Sequence, residues 1–138
     1  ASLDVRTTQE QSPWWTRYTS PATHVTAQDL TASYAAFGAV IDMRGYNLLE
    51  IYVDADVNDS LNVDLRIQAQ HTSGGTSYTI NGTSSVSLWT STVADFNEVY
   101  EFNAGANPYV VIQAKAGTVG ATAGDLTLTI VKSFVGGL

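Results

Sequence analysis

The chain predicts an all-β fold, a jelly-roll-like β-sandwich of about eight antiparallel strands with an extended N-terminal arm. Three observations carry this. Residues 61–70 read L-N-V-D-L-R-I-Q-A-Q. Side chains in a strand alternate between faces, so Leu61, Val63, Leu65, Ile67 and Ala69 form a dry side, and Asn62, Asp64, Arg66, Gln68 and Gln70 a wet one. Comparable short runs recur every ~8–12 residues between turn residues, the spacing of a sandwich or barrel. No window of useful length carries a helical period.

Taken in order, residues 1–30 hold Pro13, Pro21, many Thr and Gln, and little periodicity. They read as an extended arm in front of a sandwich domain over 31–138. A first strand is expected from Tyr34 to Met43, ending at Arg44-Gly45. In the next, Asn47 to Asp54, residues Leu49, Ile51 and Val53 point inward and Glu50, Tyr52 and Asp54 outward. After the polar loop Asp56 to Ser60 comes the strand described above, and His71 to Gly75 is a turn. Ser77 to Ile80 meets Asn81-Gly82, a strong hairpin signal, with Ser85 to Thr90 as the return strand. Glu98 to Asn103, Tyr109 to Ala116 and Asp125 to Ser133 complete the set, the last two separated by the small-residue loop Gly117 to Gly124. A carboxylate at Val63 or Leu65 is expected to prevent folding, since each buried apolar side chain contributes roughly 1.5–3 kcal/mol.

Composition narrows the function. At 138 residues the chain holds one domain. A formal charge of −7 with six Lys and Arg argues against nucleic acid, where basic residues supply most of the affinity, and against anionic membrane surfaces. There is no Cys, so disulfides and thiolate metal sites are ruled out. No N-terminal apolar region of signal-peptide type and no bilayer-length apolar run occurs. Ala1 suits either removal of an initiator Met or cleavage of a longer precursor. Charged residues make up 14%, against about 25% in an ordinary soluble domain. A neutral, hydroxyl-rich surface of this kind fits burial in an assembly, where desolvating charge is costly, and equally fits a Thr-rich β-protein with few charges.

Candidate chemistry is thin, and neither a catalytic residue nor a cofactor or metal site is expected. Asp54-Ala55-Asp56-Val57-Asn58-Asp59 opens like a Ca²⁺ loop. The pattern then breaks, because Asp59 stands at the sharp-turn Gly position and Leu65 at that of the bidentate Glu. A solvated acidic turn is the preferred reading, with a weak Ca²⁺ site, bound in another way as sandwich loops do, as the alternative. His24 and His71 are the only neutral bases, one in the arm and one in a turn, and neither adjoins a nucleophile motif. They read as exposed histidines. Asp95, Glu98 and Glu101 offer the carboxylates a glycosidase needs, but Glu98 and Glu101 fall on opposite faces of one strand.

Aromatic residues are the better lead. Tyr46, Tyr52, Tyr78, Trp89 and Tyr100 are candidates for a sugar-stacking platform, with Tyr52 foremost because it faces away from Leu49, Ile51 and Val53. Core filling and strand propensity explain most of them better. Trp14-Trp15, followed by Tyr18, place a large apolar payload in a segment without a strand pattern. They either plug the end of the sandwich or anchor the arm on a neighbouring subunit, as aromatic hot spots do. Trp14, Trp15, Tyr18 and Tyr52 are the expected interface residues.

The order of features, "SPWWTRYTSPATHVTAQDLTASYAAFGAVIDMRGYNLLEIYVDADV", then "LNVDLRIQAQ" and "HTSGGTSYT", closing on "NPYVVIQAKAGTVGATAGDLTLTIVKSF", resembles small β-sandwich virion structural proteins of tailed bacteriophages, of the capsid decoration or cement type. The resemblance implies a non-enzymatic role in the virion, assembled in the host cytoplasm, as a homo-oligomer. The major capsid protein or another virion protein would be the partner. It transfers no catalytic residues. A carbohydrate-binding or receptor-binding sandwich module is the alternative.

Overall fold

The fold is taken from a computed structural model, which describes residues 16–57, 62–80, 89–92, 95–116 and 124–136. Among the described residues it contains eleven strands and no helix. One sheet holds β1 (Thr16–Tyr18), β2 (Ala22–Asp29), β5 (Leu48–Val57), β9 (Phe96–Asn103) and β11 (Gly124–Val135). The other holds β3 (Ala35–Ala36), β4 (Ile41–Asp42), β6 (Asn62–Gln70), β7 (Tyr78–Thr79), β8 (Trp89–Thr92) and β10 (Tyr109–Ala116). All pairings are antiparallel.

Several of these strands are two pieces of one edge. β1 and β2 lie in succession along β11, β3 and β4 along β10, and β7 and β8 along β6. Each sheet is therefore four strands wide. Successive strand positions change sheets everywhere except at the β6–β7 hairpin, and the first and last positions lie side by side. This is the double Greek key of a jelly roll, as the sequence predicts.

The core lies between the sheets. Leu49, Ile51 and Val53 of β5 and Leu126 and Leu128 of β11 face Val63, Leu65 and Ile67 of β6 and Val110, Ile112 and Ala114 of β10, all buried. The alternation that identifies β5 and β6 in the sequence is thus the alternation of burial, and β10 and β11 follow it except that Val111 and Val131 are buried on the outer faces.

The structure differs from the sequence reading at several points. Residues 16–29 are not a separate arm, since β1 and β2 pair with β11 over most of its length. Their alternation is hidden because β2 is an exposed edge strand with a bulge: Ala27 has φ 48° and donates its N–H to Thr127 Oγ1 at 3.0 Å instead of to the ladder. The expected strand Tyr34 to Met43 is broken into β3 and β4. Phe37 N–H still donates to Ile112 O, and Met43 N–H to Pro108 O, but the chain bulges between them at Gly38, whose φ is 84°. A Cβ on Gly38 would collide with the His24 imidazole at Nε2, so only glycine lets the two sheet edges approach there.

His24 is the third difference. It is half-buried, with Nε2 lacking a partner. Burial lowers its pKa below 6.5, against a smaller opposing effect of its backbone hydrogen bond to Phe37. Last, Gln70 belongs to the expected wet face but is 6% exposed. It is enclosed by the following turn, donating to Ser77 Oγ and accepting from Gly74 N–H.

Candidate interaction surface

The register assigns every side chain of the five-stranded sheet to a face. Tyr52 of β5 stands opposite Thr129 of β11 and Val99 of β9. Because β5 buries Leu49, Ile51, Val53 and Ala55, Tyr52 points outward, with Glu50 two residues before it and Asp54 and Asp56 after it. Val131 lies opposite Glu50, which in turn lies opposite Glu101. At one end, Asp29, Asp125 and Asp56 stand abreast across β2, β11 and β5.

Tyr18 reaches this face by way of its neighbour. Arg17 points the other way, its guanidinium 5.4 Å from the centres of both the Tyr46 and Phe134 rings and donating to Gly45 O at 2.6 Å. Thr19 continues the attachment, donating its N–H to Lys132 O and accepting from Lys132 N–H on its hydroxyl. With Arg17 fixed inward, alternation turns Tyr18 outward, where it is 73% exposed.

Tyr18 and Tyr52 border one shallow depression of about 270 Å³, which also takes in Pro21, Glu50, Val131 and Ser133. On its other side Tyr52 borders a second, of about 290 Å³, with Asp54, Asn97 and Val99. Tyr52 and Val99 are 44% and 49% exposed. The result is a sheet face with an apolar strip running from Tyr18 through Tyr52 to Val99, surrounded by carboxylates.

Among the described residues this face carries Asp29, Glu50, Asp54, Asp56, Glu101 and Asp125 and no Lys or Arg. The crowding is felt at Asp125, whose pKa is raised above 3.8 by desolvation first and then by repulsion from Asp56 and Asp29.

The opposite sheet is built differently. Arg66 lies over the Tyr34 ring at 3.9 Å from its centre, and Lys115 at 4.9 Å. Arg66 also donates to Gln113 Oε1 at 2.6 Å, and Lys115 stands opposite Asp64 in the ladder. At its margin, Arg44 grips Asp42 through two hydrogen bonds of 3.0 and 2.8 Å and lies over Tyr109. That grip holds the Asp42 carboxyl down to about 2.

Of the four expected interface residues, Tyr18 and Tyr52 therefore share one surface, while Trp14 and Trp15 lie outside the described residues. The candidate aromatic platform does not assemble among the described residues. Tyr46 is engaged at one end of the sandwich by Arg17 and Lys132. Tyr78 stacks on His71 at 5.6 Å on the other sheet. Tyr100 packs against the core and donates its hydroxyl to Glu98. The side chain of Trp89 lies outside the described residues. Asp54 and Asp56 extend β5 rather than forming a loop, and Asn58 and Asp59 lie outside the described residues.

Sequence reasoning did not single out Val99 or Val131. The signal for Val99 is in β9 itself, where Phe96, Tyr100 and Phe102 take the inward parity. Val131 is legible only once β1 is known to be paired.

No protein-family model and no curated protein matches the chain. Among solved structures it is similar to the SPBc2 prophage-derived protein YomS, with a TM-score of 0.54 and 12% sequence identity over 86% of this chain and 94% of that one. At that identity the likeness is one of fold: this chain and a prophage-derived protein share the same sandwich.

Proposed function

We propose that this chain is a non-enzymatic structural protein of a bacteriophage particle. In the finer reading it is a capsid decoration or cement protein that stabilises the shell by bridging neighbouring subunits. Its place is then the virion, its partner the major capsid protein or another virion protein, and its working form a homo-oligomer. It acts through contact area and needs no cofactor. The observation that carries this reading is the outer face of the five-stranded sheet, where Tyr18, Tyr52 and Val99 are exposed together. Apolar strips with a polar surround mark contact sites, and repetition over a symmetric shell multiplies weak contacts into avidity. The shared fold of a prophage-derived protein supports the phage setting.

Mixing the purified chain with shells of its own phage tests this. Saturable co-sedimentation and a higher shell melting temperature are expected; no co-sedimentation at any concentration refutes the reading.

The Tyr18–Tyr52 depression with Glu50 at its side also favours a second reading, a carbohydrate-binding or receptor-binding module. Glycan-array binding by a protein that leaves shells untouched would select it.

A further inference from the structure

We propose that the outer face of the five-stranded sheet docks a basic protein segment, with an Arg or Lys side chain seated on the Tyr52 ring. The proposal rests on the reading above in taking that segment to belong to another virion protein, and it adds the chemistry of the occupant.

Three features select a cationic occupant. Tyr52 presents an exposed ring with an open depression on either side. A guanidinium or ammonium placed over such a ring is attracted by its quadrupole, and the methylene stem covers apolar surface at the same time. Carboxylates bracket the ring: Glu50 and Asp54 are its same-face neighbours along β5, and Glu101 lies across from Glu50. A cation stacked on Tyr52 therefore lies among carboxylates on both sides, and an extended segment with basic residues at alternate positions matches the two-residue repeat of Glu50, Tyr52 and Asp54.

Complementarity is the third feature. The molecule satisfies its own cations on the other sheet in this way, with Arg66 and Lys115 over Tyr34. On the five-stranded sheet the aromatic ring and the carboxylates are present, and the described residues bring no cation to them. An acidic partner would be repelled by the six carboxylates, and a purely apolar one would desolvate them without compensation.

A dodecapeptide of alternating Arg and Ser, with a Glu–Ser peptide as control, probes this by ¹H–¹⁵N NMR titration of the intact chain. Shifts confined to the surroundings of Tyr52, Val99 and Val131 are expected. Salt should weaken binding, and Tyr52→Ala combined with Glu50→Gln should raise Kd roughly three- to tenfold, with Tyr52→Phe close to the parent.

Tyr34→Ala, on the other sheet, should leave the Kd unchanged. Shifts spread evenly over both sheets, or no binding, overturn the proposal. So does salt-insensitive occupation of the face by a neutral oligosaccharide such as chitotriose in place of the peptide. Shell binding separates the two readings. If the Tyr52→Ala/Glu50→Gln protein binds shells as the parent does, the proposal fails while the particle reading stands. Peptide binding centred on Tyr52 by a protein that ignores shells supports the docking chemistry and removes the particle reading.

Discussion

The two outer faces of this sandwich solve the same problem in opposite ways. Each must present alternate residues of its strands to water. On the six-stranded sheet, Arg66, Lys115 and Arg44 are matched by Tyr34, Gln113, Asp64, Tyr109 and Asp42 within the chain. On the five-stranded sheet the carboxylates face one another across the strands, and Tyr18, Tyr52 and Val99 stay exposed. The first arrangement is complete in the isolated molecule. The second becomes favourable when something else supplies positive charge and covers the strip. An overall charge of −7 conceals this division; it emerges only when each residue is assigned to a face.

Four expected outcomes test this contrast. The largest effect belongs to the surface the two faces enclose. Leu65→Asp places a carboxylate in the core and should abolish cooperative unfolding, whereas Tyr52→Ser should leave it within about 0.5 kcal/mol of the parent. A soluble, cooperatively melting Leu65→Asp protein would invalidate the assignment of faces. Next, Tyr34→Ala should destabilise by about 1 kcal/mol in denaturant titration, as it removes the ring shared by Arg66 and Lys115. An unchanged midpoint would mean that the six-stranded face is not self-satisfied.

Smaller still, Asp125→Asn should stabilise the protein at pH 7 by about 0.2–1 kcal/mol, the size of a like-charge cross-strand pair. The folded-state pKa of Asp125 is raised above 3.8. Its stabilising contribution is thus fully present below 3.8 and lost as pH rises through the raised value. The advantage of Asn over Asp should accordingly fade on acidification towards pH 4, and denaturation midpoints measured between pH 4 and 7 would reveal it. His24 provides a reference away from both faces. Its folded-state pKa is depressed below 6.5, so stability from its neutral form is present above 6.5 and lost as pH falls towards the depressed value. His24→Gln should flatten that loss in the same series.

Much of the fold is legible in the residues because burial and strand parity coincide. In β5, β6, β10 and the first half of β11 alternate residues are apolar and supply most of the core, whereas Lys132 interrupts the apolar series in β11 and Val111 and Val131 are buried on the outer faces. Parity also placed Tyr52 outside. What is not legible follows from pairing. Edge strand β2 has no fully buried residue to impose alternation, its half-buried His24, Val25 and Gln28 being irregularly spaced, and its bulge shifts the register midway. Tyr18 stands out by composition, but its position beside Tyr52 depends on Arg17 lying between Tyr46 and Phe134, residues 29 and 117 positions further along the chain. The acidic row Asp29, Asp125 and Asp56 is likewise assembled from three distant strands, so no local motif announces it.

The broken edges have a consequence for how copies of this chain can meet. An unpaired edge is a template for another strand in proportion to its uninterrupted length. Among the described residues three of the four sheet edges are split into two segments, and of these only β2, which carries the bulge at Ala27, matches the 8 residues of β9. Glu98 and Glu101 lie on that edge strand, and a second copy joining there in antiparallel fashion would bring its own glutamates alongside. Lateral growth by strand addition is thereby disfavoured wherever the described sheets end. With backbone pairing disfavoured at these edges, contact between copies falls to the side chains of the faces.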